Sequence, residues 1–517
     1  MFPRSIVSMT ATALLLASAS VPETLAQALV LTDARIVDAD AGLVREGLTV
    51  VVEDGRIRAV GESPDIPDGA EIVDLEGRFL MPGLIDSHVH VNGSAGIRGD
   101  QIAAHRDLVL AYREQEPRSY LYWGFTTLID LNQDDTTVRR WNAREAAPWL
   151  LACQGAPYTD GYGMAFNPDP ARYDDPYHIV DPDRLDRLPA DFDAGAHTPE
   201  AVIERVRFDT DAICVKLYHE PGFAGLFDFN TADSQTLRRA VEAAETAGLV
   251  PLIHANSLAS WEAAEAAGFP VLAHGLWHWD DENGAGTDAG AALPARIAAL
   301  LDRLAAGGAS IQLTTRVIGG EIDLYRPELL AEASMAHTLP GGLLAWYASP
   351  QGGWFQEELE TRIAEHPEIV AYFLGEAPSG EPAETSRRAL ERLVRLNEGL
   401  EARGIERLFA SDTPSSPTWT NPPGLNGYWE MQQMVAMGMS PASVLRSATI
   451  LNAERFGLAG EVGRIQPGLR ANLLVLEHNP LRSLDVFDDG LVEIILDGRR
   501  FPREQLSAME TGQQDTD

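Results

Sequence analysis

Apolar and polar positions alternate with period two from residue 29 to about residue 80. The segments "ALVLTDARIVD", "GLTVVVEDGRIRAVG" and "AEIVDLEGRFLMPG" carry this pattern, with Asp-Gly and Glu-Gly at the breaks. That combination predicts short strands joined by tight turns. The same character returns near the other end, in "GRIQPGLRANLLVLE" and "GLVEIILDGRRF". Strand-rich pieces flanking a long middle predict one small β-sandwich domain assembled from residues 29–80 and 458–505. The polar stretch "AMETGQQDTD" predicts a disordered tail over 506–517.

Between these pieces, residues 81–457, the pattern changes to apolar runs of strand length separated by helical periodicity. The runs are "MPGLIDSHVHV", "GFTTLIDL", "WLLACQGA", "DAICVKLY", "LVPLIHA", "PVLAHGL", "ASIQLTT" and "RLFASDT". Helical patterns such as "SQTLRRAVEAAETAG", "SWEAAEAAG" and "RRALERLVRLNEGLEARG" lie between them. Strand and helix in alternation indicate parallel βα units, and eight of them indicate an α/β chain closed as a (β/α)₈ TIM barrel. A minimal barrel does not need residues 157–200 or 277–400. Connections of such length predict lids or substrate loops.

Charge narrows the partners. The formal net charge is −37, which disfavours nucleic acid and anionic membranes and leaves a small-molecule substrate as the expected partner, with room for a homo-oligomer. At the start of the chain, Arg4 precedes an apolar run, and Ala26 and Ala28 occupy Ala-x-Ala positions. This predicts a signal peptide over 1–28, an exported periplasmic or extracellular protein, and no membrane span once the signal is cleaved. Cys153 and Cys214 are the two cysteines. Each sits in an apolar strand-like run, so buried free thiols are the expectation.

Candidate chemistry gathers at the ends of the predicted strands. His88 and His90 are two apart, and a strand turns both imidazoles to one face. Polar groups recur at the matching place of later strands: Lys216, His254, His274 and Asp412. Active sites of barrels are built from the ends of several strands, and paired histidines there are a natural half of a metal site. Lys216 is the sole lysine of the chain, the other cations being arginine. A lysine amine can give up its charge, which arginine cannot, and burial among Ile213, Val215 and Leu217 would favour that form. His105, His178, His197, His219, His337, His366 and His478 fall outside this pattern and receive no metal role.

"GLIDSHVH", "DAICVKLY", "IHAN", "VLAHG", "FASDT" and the closing "SATILNAERFGL…GRIQPGLRANLLVLEHNPL" together make the chain resemble the amidohydrolase superfamily of metal-dependent hydrolases. The resemblance is nearest to its imidazolonepropionase-like and prolidase-like branch and spans roughly residues 29–500. It implies two divalent metal ions, zinc being the expected metal. His88, His90 and Asp412 would hold one and His254 and His274 the other. Lys216 would bridge them after carbon dioxide converts its amine to a carbamate. It further implies attack by metal-activated hydroxide, with Asp412 as general acid and base. Asn472 stands where relatives usually carry Asp, far from the metal motifs. Tyr218, on the face of Lys216, and His278 are candidate substrate contacts. Trp277 and Trp279 are expected to pack in a loop.

The implied activity is hydrolysis of an amide or peptide-like C–N bond, in a dipeptide or an N-acyl amino acid. Lactone, carbamate or phosphotriester hydrolysis on the same site is the alternative within enzymes. A non-catalytic binding protein on the same barrel is the alternative outside them. A deaminase is disfavoured, because Ala255 and Asn256 follow His254 where deaminating relatives place a glutamate nearby.

Overall fold

The computed structural model of the chain describes residues 28–168, 171–222, 227–282, 291–366 and 382–509. The expected signal peptide lies outside them, as does most of the expected tail. Five strands open the described chain: β1 (Leu29–Asp38), β2 (Leu43–Glu53), β3 (Arg56–Gly61), β4 (Glu71–Asp74) and β5 (Phe79–Pro82). Eight further strands follow: β6 (Leu84–Val89), β7 (Phe125–Asp130), β8 (Trp149–Gly155), β9 (Cys214–Tyr218), β10 (Val250–His254), β11 (Val271–Ala273), β12 (Ser310–Gln312) and β13 (Glu406–Leu408). Three close the chain: β14 (Leu473–Leu476), β15 (Leu491–Leu496) and β16 (Arg499–Pro502).

Strands from both ends share one ladder, in the order β16-β15-β14-β5-β1-β2-β3, with β4 added beside β1. The join between the two ends is the antiparallel pairing of β14 with β5, Leu473 opposite Pro82 through Leu476 opposite Phe79. Leu31, Ile36, Val50, Leu80, Leu473 and Ile495 form its core.

The second sheet runs β6 to β13 in sequence order, every neighbour parallel. Its two edge strands meet through a parallel bridge of Val89 with Thr413, and Asp412 N–H donates to the His88 carbonyl at 2.8 Å. The molecule is thus a (β/α)₈ barrel with a separate β-sheet domain. Closing the sheet removes its edges and leaves a packed interior. Strand β9 shows how the alternation sorts side chains. Val215 and Leu217 pack outward with Val202, Ile203 and Leu237 of the helix layer. Cys214 faces inward with Ile129, Leu252, Val271 and Leu408. Burying an aliphatic side chain of this size contributes about 1.5–3 kcal/mol, so a one-residue slip of β9 would cost several such terms.

Local signals start and stop the helices that cover the barrel. Thr198 caps Pro199–Asp209 by accepting from Ala201 N–H. Asp233 caps Ser234–Ala247, and Ser257 caps Leu258–Ala267. Each of the latter two ends on a left-handed glycine, Gly248 at φ 74° and Gly268 at φ 84°, where any other residue would be strained.

The free-thiol expectation is overturned: Cys153 and Cys214 form a disulfide. The cause is register. The two residues are direct partners of the parallel β8–β9 pair, with Cα atoms 4.4 Å apart, within the range a disulfide spans. Sixty-one positions of separation concealed a contact that strand pairing creates.

After β8 the chain makes three short helical turns, Ala171–Asp174, Pro182–Arg187 and Ala194–His197, before the next long helix. After β12 it forms the helix Thr315–Asp323, then Ala333–Thr338, Gly341–Tyr347 and Trp354–Glu365. Among the described residues no helix is long and apolar enough to cross a membrane.

Candidate metal-binding active site

The six candidate residues converge at the C-terminal ends of β6, β9, β10, β11 and β13. Lys216 Nζ lies 3.1 Å from His88 Nε2. His88 Nε2 is also 3.1 Å from Asp412 Oδ1, and His90 Nε2 is 3.3 Å from the same oxygen. The other carboxylate oxygen of Asp412 is 3.7 Å from His274 Nδ1. His254 joins through His274, their ring centroids 4.6 Å apart. Ligand atoms of His88, His274 and Asp412 all lie within 4.8 Å of one another.

Two of these residues owe their place to unusual backbone. Val271 and Ala273 face the barrel interior while Leu272 packs among the helices, so strict alternation would turn His274 outward. Instead His274 has φ 84° and Asp412 has φ 52°. Left-handed conformations of non-glycine residues cost about 1–3 kcal/mol and concentrate at functional sites. Thr314, itself at φ 45°, sets its hydroxyl 3.0 Å from His274 Nδ1.

Burial governs the proton affinities. It pushes the Lys216 amine down to about 8 and the His88 imidazole down to about 3. His254 and His274 are lowered by the same cause, His274 strongly. Burial also works against a charged His90, but Asp130 and Asp412 outweigh it and raise that imidazole to about 9. For Asp412, burial favours the neutral acid, yet His88, His90 and His274 hold its carboxyl well below the usual range. The set therefore consists of three imidazoles held neutral, a fourth, His90, held charged by its carboxylate neighbours, one carboxylate and an amine disposed to lose its proton. His88 Nδ1 is buried with no hydrogen-bond partner among the described residues. Nitrogen and oxygen donors crowded in this way, with fewer protons than lone pairs, fit a divalent cation of zinc type.

The site opens into a cavity of ≈ 470 Å³. Tyr218 and His278 line it, as the sequence suggested. Trp277 lines it as well, its ring 5.0 Å from that of His274, which corrects the expectation of loop packing. Trp279 does pack in the loop, buried and donating from Nε1 to the Leu276 carbonyl. His278 is held neutral by burial, which pushes it down to about 3.

Sequence reasoning missed four neighbours. Tyr162, from the connection after β8, stacks on His254 with centroids 4.5 Å apart and planes 16° apart. Asp130, at the end of β7, accepts from the backbone N–H of Val91 and Asn132 and lies 3.7 Å from His90 Nδ1. Glu220 lies 3.7 Å from His254 Nε2. Glu321, on the helix Thr315–Asp323, lines the cavity. Asp130 closes the predicted strand "GFTTLIDL", and its position at a strand end was a usable signal. The others lie in connections, where no periodicity marks them. Gly155, the register partner of Lys216, is required by close approach: a Cβ there would sit 2.7 Å from Asn132 Oδ1 and 2.9 Å from the Tyr218 hydroxyl.

The Amidohydrolase family model matches residues 352–500. An imidazolonepropionase of Methylobacterium nodulans is 28% identical over 269 residues, which is 47% of this chain and 62% of that protein. The chain thus spans less than two thirds of the length of this curated relative. Among solved structures, a Xaa-Pro dipeptidase with bound methionine in its active site superposes with a TM-score of 0.59 at 17% identity, covering 92% of this chain and 100% of that one. The Aspergillus enzyme titled A. niger ochratoxinase superposes with a TM-score of 0.60 at 18% identity, covering 92% and 96%. At such identities these structures speak for the fold. The strand-end motifs, the closed barrel and the family model matched over residues 352–500 are consistent with the amidohydrolase superfamily.

Proposed function

We propose that this protein is a binuclear metal-dependent hydrolase that cleaves an amide or peptide-like C–N bond. The observation that carries the reading is the convergence of His90, Lys216, His254, His274 and Asp412 on one cavity at the C-terminal end of the barrel, with His88 buried against Lys216 and Asp412. His88, His90 and Asp412 would hold one divalent cation, zinc in the first instance, and His254 and His274 a second. Lys216, carboxylated by carbon dioxide, would bridge them. Cations in that position supply a water of lowered pKa and an electrophile for the substrate carbonyl.

The chain's own groups do the rest. Asp412, kept ionised by its imidazole neighbours, accepts the proton of the attacking water and returns it to the leaving nitrogen. Tyr162 and Tyr218 have hydroxyls pushed up by burial, so both remain protonated and able to donate to the developing oxyanion. Trp277 and Phe166 add apolar surface to the cavity lining.

Export is supported by the signal-like first 28 residues together with the Cys153–Cys214 disulfide, since disulfides persist in oxidising compartments. Two measurements test the function. Metal analysis of purified protein is expected to return close to two divalent ions per chain; near-zero tightly bound metal overturns it. A hydrolysis screen of amides, dipeptides, lactones, carbamates and phosphotriesters with zinc-loaded protein is expected to show C–N cleavage first. Preference for a lactone or phosphotriester would reassign the bond, and binding without turnover would leave a non-catalytic barrel.

A further inference from the structure

The wall of the cavity has an unusual charge pattern. Among the described residues its cationic side chains are Lys216 and His90, and both are committed to the centre, Lys216 beside His88 and His90 between Asp130 and Asp412. No arginine among the described residues lines it. Two arginines come near and both are engaged elsewhere. Arg316 gives its guanidinium to Asp323 at 2.7 Å, Asn426 at 3.1 Å and the Thr420 carbonyl at 3.3 Å, and lies over the ring of Trp429. Arg392 is buried behind the wall and reaches the Trp277 carbonyl. Residues 169–170, 223–226, 283–290 and 367–381, outside the described set, contain neither lysine nor arginine. His278 is neutral. The wall also carries a carboxyl group, Glu321, with Val317 and Ile318 beside it.

Resting on the hydrolase reading above, we infer that this cavity takes substrates with a neutral or cationic aromatic portion, that Glu321 reads their charge, and that substrates ending in a free carboxylate are rejected. A buried carboxylate needs a paired cation or a set of donors, and bringing it against a second carboxyl group costs binding energy. An ammonium or amidinium gains in the same place. Glu321 Oε2 accepts from the Ser386 hydroxyl at 2.8 Å, and burial raises its proton affinity. A cationic guest favours its ionised form. Tyr162, Phe166, Tyr218 and Trp277 offer faces on which an aryl group or a cation can lie. This inference departs from the dipeptide and N-acyl amino acid expectation, because both carry a free carboxylate.

The test uses acetanilide and its 4-carboxylate and 4-aminomethyl derivatives with the zinc-loaded full chain. Turnover is measured as kcat/KM, and affinity by isothermal titration. The 4-aminomethyl compound and acetanilide should exceed the 4-carboxylate by about tenfold or more in both readouts. Glu321→Gln should shrink the aminomethyl-to-carboxylate ratio by roughly tenfold, and Glu321→Arg should invert it. Equal or better handling of the 4-carboxylate by the wild type overturns the inference, as does a ratio that neither substitution moves, or no binding of any of the three. If the compounds bind in the expected order without being cleaved, the charge selectivity stands and the hydrolase reading fails.

Discussion

The amine of Lys216 lies 3.1 Å from Nε2 of His88, a residue 128 positions earlier in the chain. Parallel pairing of β6 through β9 brings two strand ends together and leaves a buried amine facing an imidazole that burial keeps neutral. Such a pair carries one cation at most.

Lys216→Arg tests that arrangement directly. Arginine keeps a positive charge but cannot react with carbon dioxide or lose its proton. Activity should fall by roughly 100-fold or more, and the metal content should drop toward half. Elemental analysis and turnover on the same preparation read both. Wild-type values for both would falsify the bridging role.

Asp412→Asn should leave the fold in place, since Asp412 N–H still donates to the His88 carbonyl. It removes the proton acceptor, so kcat should fall by about 10²–10⁴-fold. Circular dichroism verifies folding, and steady-state kinetics supply the number. A loss confined to KM would instead make Asp412 a binding residue.

The disulfide beneath Lys216 predicts a stability effect. Cys153 and Cys214 are fully buried and lie one inward position below Gly155 and Lys216. The double variant Cys153→Ala/Cys214→Ala should lose about 2–4 kcal/mol, the range for a native disulfide. Urea unfolding measures it. A reductant added to the folded wild type should have little effect, because the sulfurs are closed to solvent.

The pH dependence of stability should carry a signature of Glu116. Burial raises this carboxyl from 4.5 to about 8, against the N–H of Asn92 that binds its charged form. The folded state therefore holds the proton more tightly than the unfolded chain. Its stabilising contribution is complete below about pH 4.5 and is lost as pH rises toward 8. Glu116→Gln should flatten the decline of Tm between pH 5 and pH 8 relative to wild type. An unchanged slope would locate the titration elsewhere.

Much of this was legible in the chain itself. The eight apolar runs became β6 to β13 in order, because a buried parallel strand demands a continuous run of apolar residues. His88, Lys216 and His254 sit at strand ends, whereas Asp412 lies past the end of β13 on a left-handed backbone. His274 reaches the same cavity by a left-handed backbone that no period-two pattern encodes. Tyr162 and Glu321 could not be found from periodicity, since they come from connections whose course is set by what they pack against. Trp277 was assigned to loop packing because an aromatic residue in a loop reads alike whether it faces a core or a cavity.

By itself, then, the sequence determined the order of strands and helices, the sharing of one β sheet by both ends, and the polar residues available at the strand ends. These depend on local periodicity and residue chemistry. Tertiary structure alone decided that Cys153 meets Cys214, that Tyr162 covers His254, and that the cavity presents Glu321 and, among the described residues, no arginine. Those facts depend on the register between distant strands and on how long connections fold back over the barrel, and neither is written in any single window of residues.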